Sequence, residues 1–188
     1  MSESPTEHFE HAEHAEHVAH SGDPFLAKVS ITIAAPAVLA AAVGALETIE
    51  TNDTIRDKTT AAITQNKATD TWGFFARQSL KKTMYDTAAD GAPDARRDAL
   101  VAKAKDYEAQ SRETQKKAEA MEAEVEKAND GSERHEHRHQ VLTVAATFLH
   151  ISIAMATIAI VMRGRTWPYW TAIGLGIVGT IGAALAYV

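Results

Sequence analysis

The segment VLTVAATFLHISIAMATIAIVM, residues 141–162, contains no Asp, Glu, Lys or Arg. A helix needs roughly 20 apolar residues to cross a hydrocarbon core about 30 Å thick. Two further segments, 25–46 and 167–188, are as long and nearly as apolar. The sequence therefore predicts an all-α membrane protein with three transmembrane helices, in direct contact with the lipid bilayer.

The order of these segments divides the chain into a tail, three spans and one large polar insert. The tail is acidic and His-rich, whereas a signal peptide begins with basic residues, so we expect the first span to be a retained anchor. The predicted segments are the tail 1–24, span 25–46, insert 47–139, span 140–162, loop 163–166 and span 167–188.

The composition excludes several classes of function. With 0 cysteines, disulfides, thiolate metal sites and cysteine nucleophiles are ruled out. The formal charge is -6, and Lys and Arg are interleaved with Asp and Glu in the insert, so we expect no nucleic-acid partner.

Arginines flank the spans on both sides. Arg163 and Arg165 lie in a very short loop, where the positive-inside rule carries most weight, and this favours the tail inside and the insert outside. Arg134 and Arg138 favour the opposite orientation.

The insert has the periodicity of a coiled coil. Apolar and small residues alternate spacings of four and three, which is the 3.5-residue repeat of a coiled-coil seam. Asp90-Gly91-Ala92-Pro93-Asp94 predicts a turn before this seam, because Gly can end one helix and Pro cannot continue it. The insert is therefore expected to be an antiparallel coiled-coil helical hairpin between the first and second spans. The predicted seam is Leu100, Ala104, Tyr107, Ser111, Thr114, Ala118, Met121, Val125 and Ala128.

Aromatic residues concentrate in the first arm of the insert. Two interpretations remain open: they fill the interior of the hairpin, or they extend beyond the seam as an exposed patch for self-association or for another protein. The candidate interaction residues, together with two from the seam, are Trp72, Phe74, Phe75, Tyr85, Tyr107 and Met121.

Histidines form two clusters. Those of the tail recur after glutamates, and three readings stay open: a solvated low-complexity tail, a site for zinc, copper or nickel, and a pH-dependent helix. His135-Glu136-His137-Arg138-His139 contains the H-E-x-x-H spacing of zinc peptidases. A peptidase also needs a third ligand and a substrate cleft, which a thin hairpin does not supply, so we expect no enzyme. No cofactor is predicted, although zinc or another divalent metal stays open at His8, His11, His14, His17, His20, His135 and His139.

Polar and small residues within the spans also stand out. His150 is an ionisable residue inside the second span, and we expect it to face protein rather than lipid. Small residues recur every four positions, as in helix association faces, at Ala37, Ala41 and Ala45 and at Ala172, Gly176, Thr180 and Ala184.

Several short motifs resemble a family of bacterial membrane proteins catalogued as domain of unknown function 4337. The resemblance implies three spans around a helical insert in the bacterial inner membrane, and it brings no activity, ligand or functional residues. His150 departs from the amide expected at that position. The motifs are Glu10-His11-Ala12-Glu13-His14-Ala15-Glu16-His17, Asp23-Pro24-Phe25-Leu26, Asp70-Thr71-Trp72-Gly73-Phe74-Phe75, Ser79-Leu80-Lys81 and Tyr85.

Taken together, these patterns favour a non-enzymatic assembly or interaction module that presents a coiled-coil hairpin. Its expected partner is a second copy of the chain or another membrane protein. The alternative is a metal- or pH-responsive membrane protein that acts through its His clusters.

Overall fold

The computed structural model describes residues 24–162 and 165–188, where all regular structure is helical. Helix α1 spans Pro24–Asp90, α2 spans Asp94–Val161 and α3 spans Trp167–Leu185. Each helix contains a stretch long and apolar enough to cross a membrane. The prediction of three such helices is confirmed, and they fit a multi-pass membrane protein.

The break between α1 and α2 is residues 91–93. The side chain of Arg97 closes it, because its guanidinium donates to the carbonyl oxygens of Ala89 and Ala92, each at 3.4 Å. A third contact, 3.0 Å long, joins Arg97 to the carboxylate of Asp94. The carbonyl oxygen of Ala89 also accepts the backbone N–H of Ala92 at 3.2 Å, so backbone and side-chain donors both stabilise the turn.

The described chain packs as two units. The span unit comprises the chain up to Thr54 with Arg134–Val188, and the polar unit comprises Ile55–Glu133. In the span unit, the hydroxyl of Ser152 donates to the carbonyl oxygen of Ala172 at 2.7 Å and so links α2 to α3. Its core consists of two clusters, one of Val29, Ile33, Ala37, Ile153, Ala156 and Ala172, the other of Ala40, Val43, Leu142, Ala146, Leu149 and Ala186.

Burial along α2 follows one period without interruption. Every residue at alternating spacings of four and three from Leu100 to Ala156 is buried or half-buried. We call this set the α2 stripe. The nine seam residues predicted above are its first part, and it continues through Ser132, His135, His139, Leu142, Ala146, Leu149, Ile153 and Ala156.

Small residues join the spans, but not at the predicted spacing. On α3, Thr180 and Ala184 are exposed, whereas Gly179 is buried, as is Ala186 directly after the helix. A spacing of four advances about 40° per step around a helix of 3.6 residues per turn, so a fourth-residue pattern soon leaves the contact face. On α1, for the same reason, Ala41 and Ala45 are exposed, and the buried residues are Ala37, Ala40 and Val43.

Gly179 marks the closest approach of α3 to α2. A methyl group added there would lie 2.9 Å from both the carbonyl oxygen of Ala145 and Cγ of Leu149. The first of these atoms belongs to the backbone and cannot rotate away. Gly174, on the same helix, has nothing within 4 Å.

Replacing Gly179 with Ala should therefore destabilise the span unit by about 1–3 kcal/mol, the usual cost of overpacking. The matched Gly174→Ala variant should unfold at the wild-type temperature or slightly above it. Thermal unfolding of the detergent-solubilised protein, followed by helical circular dichroism, compares the two. Equal melting temperatures for both variants would contradict the close contact.

Candidate functional site

Glu50 is the centre of a buried polar cluster in the span unit. The residue is only 4% exposed, which for a carboxylate requires hydrogen-bond or charge partners. Tyr187 donates its hydroxyl to Oε1 at 2.9 Å, and Nδ1 of His135 lies 2.5 Å from Oε2. Because a carboxylate only accepts, Nδ1 of His135 must carry the proton. The cluster thus ties α1, α2 and the chain end after α3 to one carboxylate.

Arg138 completes the charge balance around Glu50. Its Nη1 lies 4.0 Å from Oε1, and its guanidinium lies 5.2 Å from the ring centroid of Tyr187. Burial, the largest single influence, raises the pKa of Glu50. The hydrogen bonds from His135 and Tyr187, with the electrostatic attraction of His135 and Arg138, act in the opposite direction and together lower this pKa below its ordinary value. The carboxylate is therefore held in its ionised form.

The second histidine of the H-E-x-x-H motif also contacts α1. Nδ1 of His139 lies 3.2 Å from Oγ1 of Thr51, which donates its own proton to the carbonyl oxygen of Glu47 at 2.9 Å. Both motif histidines belong to the α2 stripe, where positions four apart face the same neighbour. The spacing that resembles a zinc-peptidase motif is therefore also the spacing of helix packing.

The described parts of the chain show no cluster of metal ligands. Among residues 24–162 and 165–188, no group of three or more His, Asp or Glu side chains is arranged to hold a metal ion. His150 is half-buried on α2. The tail candidates His8, His11, His14, His17 and His20 lie outside the described residues.

The predicted aromatic residues of the polar unit divide into two groups. Tyr85 on α1 stacks on Tyr107 on α2, with centroids 5.5 Å apart and planes at 11°. Nε1 of Trp72 donates to Oε1 of Glu122 at 2.8 Å, and Phe75 packs edge-on against Trp72, with centroids 5.4 Å apart. All four aromatic side chains are half-buried, and Trp72 and Tyr85 contact α2.

Met121 belongs to the same group, whereas Phe74 does not. The sulfur of Met121 lies 3.7 Å from the hydroxyl oxygen of Thr71, which donates its proton to the carbonyl oxygen of Lys67 at 2.7 Å. Phe74 is 57% exposed and contacts its own helix, where the Arg77 guanidinium lies 4.5 Å from its ring centroid. Of the six candidates, Phe74 is the one that mainly faces solvent.

Phe74 has apolar neighbours on the outside of α1. Leu80 is 61% exposed and Met84 is 62% exposed. Within the polar unit, which is described throughout, the exposed large apolar side chains all lie on α1 and none lies on α2; they are Ile55, Ile63, Phe74, Leu80 and Met84.

The comparisons with known proteins identify the family. The model of the family described as Domain of unknown function (DUF4337) matches residues 25–188. The chain belongs to the DUF4337 family. No curated protein and no solved structure gives a match. Membership covers both units, so the Glu50 cluster and the exposed face of α1 lie within the family domain.

Sequence reasoning missed Glu50, Arg138 and Tyr187. One signal pointed to Glu50, since the 3.5-residue spacing that starts at Val43 passes through Glu47 and Glu50. Glu50 is nevertheless overlooked when charged residues are assigned to the surface by rule. No local pattern marks Tyr187, because its partner is 137 residues away in sequence.

Replacing Glu50 with Gln should cost about 1–3 kcal/mol at neutral pH, because the charged acceptor of two hydrogen bonds is lost. The wild type should also lose stability in acid. A carboxylate whose pKa is lower in the folded protein stabilises it above the unfolded value, 4.5, and this contribution disappears as the pH falls through the folded value. The stability of the Glu50→Gln variant should therefore decrease less steeply than that of the wild type as the pH falls.

Thermal unfolding at a series of pH values in detergent tests this prediction. The control is Glu124→Gln, which neutralises an exposed carboxylate on α2 and should keep the wild-type acid dependence. If Glu50→Gln and the control behave alike, the buried cluster does not hold the carboxylate as described.

Proposed function

We propose that this DUF4337 protein is a non-enzymatic, membrane-anchored assembly module. Its polar unit acts as an antiparallel coiled-coil hairpin, and the exposed face of α1 binds a protein partner. The single observation that carries the proposal is the restriction of exposed large apolar side chains in the polar unit to α1.

The burial pattern supports the coiled coil. The α2 stripe keeps the 3.5-residue period of a coiled-coil seam, and α1 has a matching buried stripe from Ala61 to Ala89. Contacts between the two helices occur in reverse sequence order, since Thr71 meets Met121 and Tyr85 meets Tyr107. Small residues on α2, such as Ala104 and Ala118, leave space for a close neighbour.

The exposed side chains support a binding face. Phe74, Leu80 and Met84 lie within three turns of α1 and remain largely in contact with solvent. Exposed apolar side chains that cluster in this way are typical of protein interaction sites. Tyr107 and Met121 serve a different purpose in this proposal, because their half-buried side chains hold α2 against α1.

The contacts of His135 and His139 support a role without catalysis. Both histidines pack against α1 beside Glu50 and Thr51, whereas a metallopeptidase needs an open coordination site and a substrate cleft. We further propose a bacterial cytoplasmic membrane with the tail inside and the polar unit outside, supported by the short loop that contains Arg163 and Arg165.

Replacing Phe74 with Lys should abolish the complex that the wild-type protein forms. The new ammonium group can pair with Asp70 four residues earlier, so the helix should persist while the binding face loses its aromatic side chain. Native mass and composition should be determined for wild type and variant after gentle extraction from their membranes.

The control is Ala109→Lys, which adds the same charge to an exposed position on α2 and should leave the complex intact. A wild-type protein that is extracted only as a monomer would refute the proposal, as would a complex that survives Phe74→Lys. Substitutions at Tyr107 or Met121 are unsuitable for this test because they would disrupt the pairing of α1 with α2.

A further inference from the structure

Helix α1 has a second stripe in the polar unit, about 100° around the helix from its buried one. Its positions alternate spacings of four and three, as in a coiled-coil seam, and every one of them is exposed. We call this set the outer α1 stripe; it comprises Ile63, Lys67, Asp70, Phe74, Arg77, Lys81, Met84 and Ala88.

The charges on the outer α1 stripe restrict how it can pair with a copy of itself. A parallel, in-register pair would place Asp70 against Asp70, Arg77 against Arg77 and Lys81 against Lys81. Like charges directly opposite each other in an interface are unfavourable. Parallel self-pairing is therefore disfavoured by the sequence of the stripe.

An antiparallel pair removes these conflicts in one particular register. When Asp70 faces Lys81 of a second copy, the two-fold symmetry also places Lys81 against Asp70 of that copy. The same register places Phe74 against Arg77, Lys67 against Met84 and Ile63 against Ala88. Antiparallel coiled coils align alternate seam positions of the two helices in this way.

Each layer of that register is chemically matched. Asp70 and Lys81 carry opposite charges, and an arginine over an aromatic ring is attracted by its π-electrons. The geometry of the second kind of contact already exists within the chain, where Arg77 lies 4.5 Å over Phe74. The aliphatic part of Lys67 can cover Met84 while its ammonium group stays in water.

We propose that the outer α1 stripe binds the same stripe of a second copy in antiparallel register, with Asp70 opposite Lys81. This inference rests on the proposed function and names its partner. Residues that precede the stripe then leave the paired stretch at opposite ends in the two copies. Detergent solution permits that arrangement.

Single-cysteine variants test the register directly, because the chain itself contains 0 cysteines. Asp70→Cys and Lys81→Cys proteins are purified at full length, mixed in detergent and oxidised. The mixture should form a disulfide-linked dimer of the two different chains, since residues that face each other fall within the about 7 Å that a disulfide spans between Cα atoms. Asp70→Cys alone should not form one, because its two copies would be offset by eleven residues, about 16 Å.

Charge exchange provides the second test. Asp70→Lys and Lys81→Asp should each raise the dimer dissociation constant about tenfold or more, because each creates two like-charge layers. The double variant Asp70→Lys/Lys81→Asp should restore the wild-type value. Glu126→Lys, at an exposed position on α2, should leave it unchanged. Sedimentation equilibrium in detergent measures the constants, and circular dichroism confirms that each variant is helical.

The outcomes separate this inference from the proposed function. A mixed disulfide together with restoration by the double variant supports the antiparallel pair. Efficient oxidation of Asp70→Cys alone, or no restoration, overturns the register. A native complex that contains a different protein and needs Phe74, while the cysteine mixture stays monomeric, overturns self-pairing but leaves the assembly module standing.

Discussion

The unbroken burial period of α2 is the constraint on which the rest of the structure depends. A 3.5-residue pattern drifts by only about 20° per seven residues around a straight helix of 3.6 residues per turn, so it marks a face that turns slowly along the helix. From Leu100 to Ala156 this pattern keeps one phase, while the residues that fill it change from small and polar to apolar. The residue types in the α2 stripe therefore change along the helix, whereas the spacing of its buried positions stays the same.

This constraint also explains the residues that look most like a catalytic motif. His135 and His139 occupy consecutive positions of the α2 stripe, so their spacing of four is imposed by packing. Each meets a polar partner on α1, Glu50 or Thr51. A buried carboxylate without such partners would be strongly unfavourable, so Glu50 fixes which residues can stand opposite it. The histidines match that requirement because an imidazole donates a hydrogen bond whether it is neutral or charged.

Periodicity and apolar length made much of the fold predictable from sequence. The three apolar segments gave the three helices, and the spacing from Leu100 to Ala128 gave residues that prove to be buried or half-buried. The same reasoning stopped at Ala128 because His135 and His139, which follow Ser132 in the period, are neither apolar nor small. Glu50 was missed for a related reason, since its burial depends on partners far away in sequence. The small-residue faces coincide with contacts inside the chain only at their first one or two positions, because a spacing of four drifts around the helix.

The exposed face of α1 has a different origin from the buried stripes. Both arms of the polar unit have one neighbour within the chain, and one stripe on each helix is sufficient for that contact. On α2 the rest of the surface follows this expectation, because its residues from Asp94 to Glu133 expose no large apolar side chain. On α1, Phe74, Leu80 and Met84 are exposed although they add little to packing within the chain. Intramolecular stability does not account for them, whereas the proposed antiparallel pairing would cover Phe74 and Met84, which belong to the outer α1 stripe.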